Sequence, residues 1–249
     1  MLASNAFDQT KSGTPLLIAH GLFGSARNWG VVGKRLAEDR PVSVVDMRNH
    51  GESPWFEEHR YPHMAGDLAE AIEGQSDVLG HSMGGKAAMV LALMHPEKVR
   101  KLVVADIAPV AYSHTQTPMI DAMRAIDLDS VETRGDADQQ LQKSIGDPGI
   151  RAFLLQSLDV KNRRWRLNLD VLADEMDHIV GFPDVDGTFN GPTLFLSGAA
   201  SDYVQADHRG RIRDLFPEAR FAKIPAAGHW LHAEKPREFE AAVEAFLGA

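Results

Sequence analysis

Val78-Leu79-Gly80-His81-Ser82-Met83-Gly84-Gly85-Lys86-Ala87-Ala88 reads as an apolar strand that delivers a serine into a helix. To raise a hydroxyl above the end of a strand, the chain must reverse within about two residues, which drives the serine into a sparsely populated backbone region. Gly80 and Gly84 flank it because a Cβ there would collide with the neighbouring strand or helix. Ser82 then sits at a helix N-terminus, where free N–H groups and the helix dipole favour developing negative charge. The Met83 N–H is expected to be one oxyanion donor. A lone G-x-S-x-G arises by chance, so its surroundings must decide, and the run Lys86–Met94 is helical in both propensity and period.

Outward from this stretch, short apolar runs alternate with helical patterns. Strands are expected at 15–19, 42–46, 76–80, 100–106, 191–198 and 220–225, with one short edge strand within 2–14. Helices are expected at 25–36, 61–73, 206–216 and 236–247, besides the one that follows Ser82. Such alternation predicts an α/β fold, a mostly parallel sheet with helices on both faces. From 111 to 190 no buried strand is apparent. Helical candidates at 118–126, 137–145, 149–158 and 169–179 predict an all-helical cap, inserted into a core made of 1–110 and 191–249.

Two further loops carry chemistry. His20-Gly21-Leu22-Phe23-Gly24 follows an early strand and can turn a backbone N–H toward the serine, with Leu22 the expected second oxyanion donor. Serine needs a base with a pKa near 7, and His229, in the Gly-rich loop after the last strand, is the candidate. The base in turn needs an acid to stabilise its imidazolium, and Asp106 at a strand tip and Asp202 in a later loop both qualify. His232 is read as a pocket wall. The charged loop Asp46–Ser53, including His50, is read as holding loops together rather than doing chemistry. His59 and His63 are four residues apart, but Pro62 interrupts the helix between them, so no metal site is expected.

The segments His20–Gly24, Gly80–Gly85 and Ala227-Gly228-His229-Trp230 resemble the α/β-hydrolase superfamily over nearly the whole chain. Asp46–Gly51, Asp106–Val110 and His229–Pro236 are similar to its small serine-esterase branch, which carries a short helical cap. Most members of the superfamily hold the acid in a Gly-x-x-Asp pattern after the penultimate strand. Here Ser201 occupies that place and Asp202 comes one residue later, a shift that turns the side chain away. The small-esterase resemblance favours Asp106, with Ser201 adding a hydrogen bond, while Asp202 stays in play. The resemblance implies a Ser82-His229-Asp106 triad that cleaves carboxylic esters or thioesters through an acyl-enzyme, without metal or cofactor. Haloalkane dehalogenases and epoxide hydrolases are less similar, because their nucleophile is an aspartate where Ser82 stands. Serine-using relatives that cleave carbon–carbon bonds, add peroxide or release N-terminal proline are the alternatives, with a non-catalytic ligand-binding member as a reading from another class.

Composition bounds the rest. A chain of 249 residues that is 44% hydrophobic builds a sizeable core without staples. The absence of cysteine removes disulfides, thiolate metal sites and thiol nucleophiles. A net charge of -9 disfavours a nucleic-acid partner. No run of 18 apolar residues is present and the first residues do not look like a signal peptide, so no membrane partner and a cytoplasmic location are expected. The expected partner is a small acyl ester or thioester, and the expected assembly is a monomer or small homo-oligomer. Phe23 and Trp230, together with Met83, Tyr112 and Trp165, are expected to form an apolar acyl pocket. The basic run Lys161–Arg166 is read as solvated surface, or alternatively as an anchor for an anionic substrate tail.

Overall fold

The computed structural model describes residues 1–249. Its strands are β1 Ser4–Phe7, β2 Leu16–Ala19, β3 Val42–Val45, β4 Ser76–His81, β5 Val99–Ala105, β6 Leu158–Asp159, β7 Arg164–Trp165, β8 Thr193–Gly198 and β9 Ala219–Ile224. Its helices are α1 Gly30–Leu36, α2 Tyr61–Ala71, α3 Met83–Met94, α4 Thr117–Arg124, α5 Arg134–Leu141, α6 Pro148–Leu154, α7 Leu169–Asp174, α8 Met176–Val180, α9 His208–Leu215, α10 Leu231–Glu234 and α11 Pro236–Gly248.

Every residue of β2, β4 and β8 is buried, so their apolar residues stand side by side, as in Leu16–Ala19, Val78-Leu79 and Leu194–Leu196, rather than in alternation. They belong to a seven-stranded sheet in the order β1-β3-β2-β4-β5-β8-β9. Only β1 runs antiparallel, and its mostly exposed residues suit an edge. Strand order reverses between β2 and β4: β3 lies to one side of β2, and every later strand lies to the other. A crevice opens at the carboxyl ends of strands at such a switch point. Registers Ala19 to Gly80 and His81 to Ala105 bring the loop after β2, the turn after β4 and the tip of β5 to one edge.

Apolar side chains fill both faces. The face carrying α1 and α11 packs 21 buried residues, whereas the face carrying α2 and α3 packs 46. That larger cluster runs without a break into Ile120, Leu141, Leu154 and Leu172, so the segment between β5 and β8 shares the core of the sheet. The segment is not all helical. Besides α4 to α8 it holds a ribbon in which β6 pairs antiparallel with β7. Strands of two residues are too short to show alternation, and the charged turn Lys161–Arg163 between them hides the pairing. No helix is long and apolar enough to cross a membrane.

Candidate active site

Ser82 lies at the turn between β4 and α3 with φ 53° and ψ -120°, a conformation that side chains rarely adopt. The turn is locked from both sides. A Cβ on Gly80 would collide with the Gly84 carbonyl, and one on Gly84 with the carbonyls of Ala19 and His20. The Ser82 N–H donates to Ala105 O at 3.0 Å, tying the turn to β5. Asp106, the next residue of that strand, is also left-handed, with φ 53°.

Three side chains meet there. His229 Nδ1 donates to Asp106 Oδ2 at 2.7 Å, and His229 Nε2 lies 3.1 Å from Ser82 Oγ. Asp106 is fully buried, and further donors hold it: the Gly198 N–H at 3.0 Å and the Ser201 hydroxyl at 2.5 Å. Bonds of this kind keep a carboxylate fixed in place. Asp202 stands beside Ser201 but faces solvent and makes no contact with His229. The His229 ring stacks on Tyr203, with centroids 4.0 Å apart and planes 18° from parallel. His81 donates Nε2–H to the His229 carbonyl at 2.9 Å, so the residue before the serine also pins the loop that carries the base. Neither Tyr203 nor His81 carries a local motif that singles it out. Their roles come from packing between segments distant in sequence.

On the other side of Ser82 runs the loop His20–Gly24. A Cβ on Gly21 would come within 3.2 Å of Ser82 Cβ, which places this backbone directly against the serine. The Gly21 carbonyl is held by His20 Nδ1–H at 2.8 Å and by the Gly24 N–H at 3.0 Å. In a trans peptide the N–H points opposite the carbonyl, so the Leu22 N–H is turned away from these two donors. Neither the Leu22 N–H nor the Met83 N–H donates to an acceptor within the protein. Both residues line the same cavity as Ser82.

A row of buried imidazoles backs this loop. His20 and His50 have ring centroids 5.2 Å apart, and His50 and His59 5.4 Å apart. Burial pushes the pKa of His20 down to about 4 and that of His50 to about 3, and holds that of His59 well below the ordinary range. All three are therefore neutral near pH 7 and can each accept at one nitrogen and donate at the other. His20 Nε2 accepts the Met47 N–H at 2.9 Å, and His50 Nε2 accepts the Phe23 N–H at 3.2 Å. His59 lies 3.2 Å from the Met83 sulfur. His63, in contrast, is at the surface beside Glu58, so the two histidines share no site, and no cluster of three or more acidic or imidazole groups could hold a metal ion.

The cavity over Ser82 has a volume of about 330 Å³. Phe23, Met83, Tyr112 and Trp230 line it, joined by Ile150, Phe153, Leu154, Ile179 and Val180 from the segment between β5 and β8. His232 also faces it while stacking on Trp29 with centroids 4.2 Å apart. Trp165 does not: its indole donates to Met123 O at 3.0 Å inside the inserted segment, so the sequence-based expectation of a pocket residue there fails. The basic run around Trp165 is largely paired, with Arg163 to Asp129, Arg164 to Asp159 and Arg166 to both Asp159 and Glu52.

One cation in the cavity wall was not singled out by sequence reasoning. Lys86, on α3 one turn after Ser82, is only 1% exposed and has no carboxylate partner. Its ammonium donates to Val180 O at 2.8 Å and to Gly181 O at 2.5 Å, and sits 4.8 Å from the Tyr112 ring centroid. Burial pulls its pKa down from 10.5 to about 7.

A serine on a strained strand-to-helix turn, a histidine bridging it to a buried aspartate, and a sheet reversing its order beneath them define an α/β hydrolase. The chain belongs to the alpha/beta hydrolase family, whose model matches residues 16–242. It is 42% identical to the sn-1-specific diacylglycerol lipase ABHD11 of Mus musculus, over 99% of this chain and 85% of that one. It is 38% identical to esterase YbfF of Escherichia coli, over 94% of this chain and 93% of that one. Among solved structures, a marine microorganism esterase superposes with a TM-score of 0.93 at 37% identity, covering 98% of both chains.

Proposed function

We propose that this ester-hydrolysing α/β hydrolase cleaves carboxylic esters or thioesters of small to medium acyl groups through an acyl-enzyme on Ser82. The observation that carries the reading is the position of His229, 3.1 Å from Ser82 Oγ on one side and 2.7 Å from Asp106 on the other. Ser82 Oγ attacks the acyl carbon while its proton passes to His229 Nε2, and Asp106 stabilises the imidazolium. The tetrahedral oxyanion takes hydrogen bonds from the N–H groups of Leu22 and Met83, each worth about 3 kcal/mol of transition-state stabilisation. The alcohol or thiol leaves with the proton from His229. Water then attacks the acyl-enzyme with His229 as base, releasing the acid and restoring the Ser82 hydroxyl.

Residues 111–190 act as a cap in this reading, since Ile150, Phe153 and Leu154 close the cavity from above. A volume of about 330 Å³ with mostly apolar walls suits a short or medium acyl chain. The test is turnover of p-nitrophenyl esters and matched thioesters of increasing chain length by wild type and Ser82→Ala. Wild type is expected to turn over the shorter members, with Ser82→Ala slower by at least about 10⁴-fold. An inert wild type that a fluorophosphonate also fails to label would sink the proposal.

A further inference from the structure

Phe23 follows the proposed oxyanion donor Leu22 and is left-handed, with φ 63°, although it carries a large side chain. Such a residue keeps its conformation only where the surroundings hold it. Two hydrogen bonds do so. The Phe23 N–H donates to His50 Nε2 at 3.2 Å, and the Phe23 carbonyl accepts from the Ser157 hydroxyl at 2.9 Å. Ser157 is 4% exposed and belongs to the inserted segment, at the turn between α6 and β6.

The His50 bond leads to the same segment. His50 and Leu167 form an antiparallel bridge, the Gly51 N–H donates to Arg166 O at 2.8 Å, and the Asn168 N–H donates to Asn49 O at 3.0 Å. His50 Nδ1–H is fixed on Arg48 O at 2.9 Å, which leaves Nε2 as the acceptor aimed at Phe23. Both supports of the strained residue therefore rest on the insertion, one directly and one through an imidazole whose backbone the insertion grips. The Phe23–Gly24 peptide whose carbonyl Ser157 holds is the one whose N–H donates to the Gly21 carbonyl, and that carbonyl shares its peptide plane with the Leu22 N–H, so the hold on Phe23 is passed on to the donor.

We infer that His50 and Ser157 are positioning residues that make the oxyanion loop's working geometry conditional on the seating of the insertion. Neither reaches the reacting atoms; each acts through the backbone of Phe23. The inference rests on the esterase reading and on Leu22 as an oxyanion donor. It implies that breaking either hold, with the cavity wall left in place, lowers the rate of the chemical step rather than the binding of substrate.

The experiment compares wild type with His50→Leu, His50→Gln, Ser157→Ala and the double variant His50→Leu/Ser157→Ala. For each, kcat and KM for p-nitrophenyl butyrate, the inhibition constant of an alkyl trifluoromethyl ketone and the melting temperature are measured. A ketone that adds the serine oxygen presents an oxyanion to the loop, so its affinity follows transition-state binding. Losses of about tenfold or more in kcat are expected for His50→Leu and Ser157→Ala, with KM within about threefold and the inhibition constant rising in step. Glutamine returns an acceptor near the position of Nε2 and is expected to recover much of the loss. The double variant is expected to lose less than the product of the single losses, because both residues hold the backbone of Phe23. If wild type turns over but Ser157→Ala, folded and equally stable, keeps its kcat and inhibition constant, the inference is overturned and the esterase reading survives. If instead wild type is inert, both fall.

Discussion

Asp106 differs from every other carboxylate here in that backbone, hydroxyl and imidazole donors all converge on it. Asp202, four residues past the end of β8, projects into solvent. If Asp106 orients and stabilises the His229 imidazolium, Asp106→Asn leaves the site nearly isosteric yet favours the wrong imidazole tautomer. Its kcat on p-nitrophenyl acetate is expected to fall by about 10³ to 10⁴-fold. Asp202→Asn is expected to stay within about twofold of wild type, as surface changes usually do. The reverse ranking of these two variants would reassign the acid.

Glycine has opposite meanings in two elements that pack on each other. In the turn from β4 to α3, Gly80 admits no Cβ because the backbone of α3 crosses it. Gly80→Ala must push strand and helix apart, at a cost of about 1 to 3 kcal/mol, and displaces Ser82 as it does so. In α2, Gly66 has nothing within 4 Å of where a Cβ would stand, so its flexibility serves no packing need. Gly66→Ala is expected to stabilise the protein by about 0.5 to 1 kcal/mol, since it restrains the unfolded chain. Urea unfolding midpoints check both, together with esterase rates, which should collapse for Gly80→Ala and hold for Gly66→Ala.

At the scale of the whole molecule, Lys86 joins α3 to the end of α8 and sets a pH dependence of stability. Its folded pKa is near 7 against an ordinary 10.5, so between these values the unfolded chain keeps a proton that the folded chain has released. Raising the pH through this window therefore stabilises the fold, by at most about 1.4 kcal/mol per pH unit from this group. Below pH 7 the charge is carried in both states and its burial costs most. Lys86→Met removes the titration, so its melting temperature relative to wild type is expected to be more favourable at pH 6 than at pH 9. A difference that does not change with pH would show that the ammonium stays charged in the fold across that range.

Much of the fold was legible from local signals. Buried parallel strands show short consecutive apolar runs, and the turn around Ser82 needs glycines at fixed offsets, so the α/β class, Ser82 and His229 all stood out in the linear chain. Where the chain doubles back, local signals fail. The β6–β7 ribbon has too few residues to show a period, and Trp165 looks the same in sequence whether it lines a cavity or, as here, packs inside the insertion. Which carboxylate reaches His229 depends on the register of β5 against β4 and on one residue of offset in the loop after β8. The placing of Tyr203, Lys86, His50 and Ser157 depends on contacts between segments up to 134 residues apart. Sequence alone determined the frame and the residues whose backbone geometry demands particular neighbours. Only the tertiary structure showed which carboxylate touches His229, which side chains line the cavity and what holds the loop His20–Gly24, because hydrogen bonds and burial between distant segments carry no period or spacing that a linear chain displays.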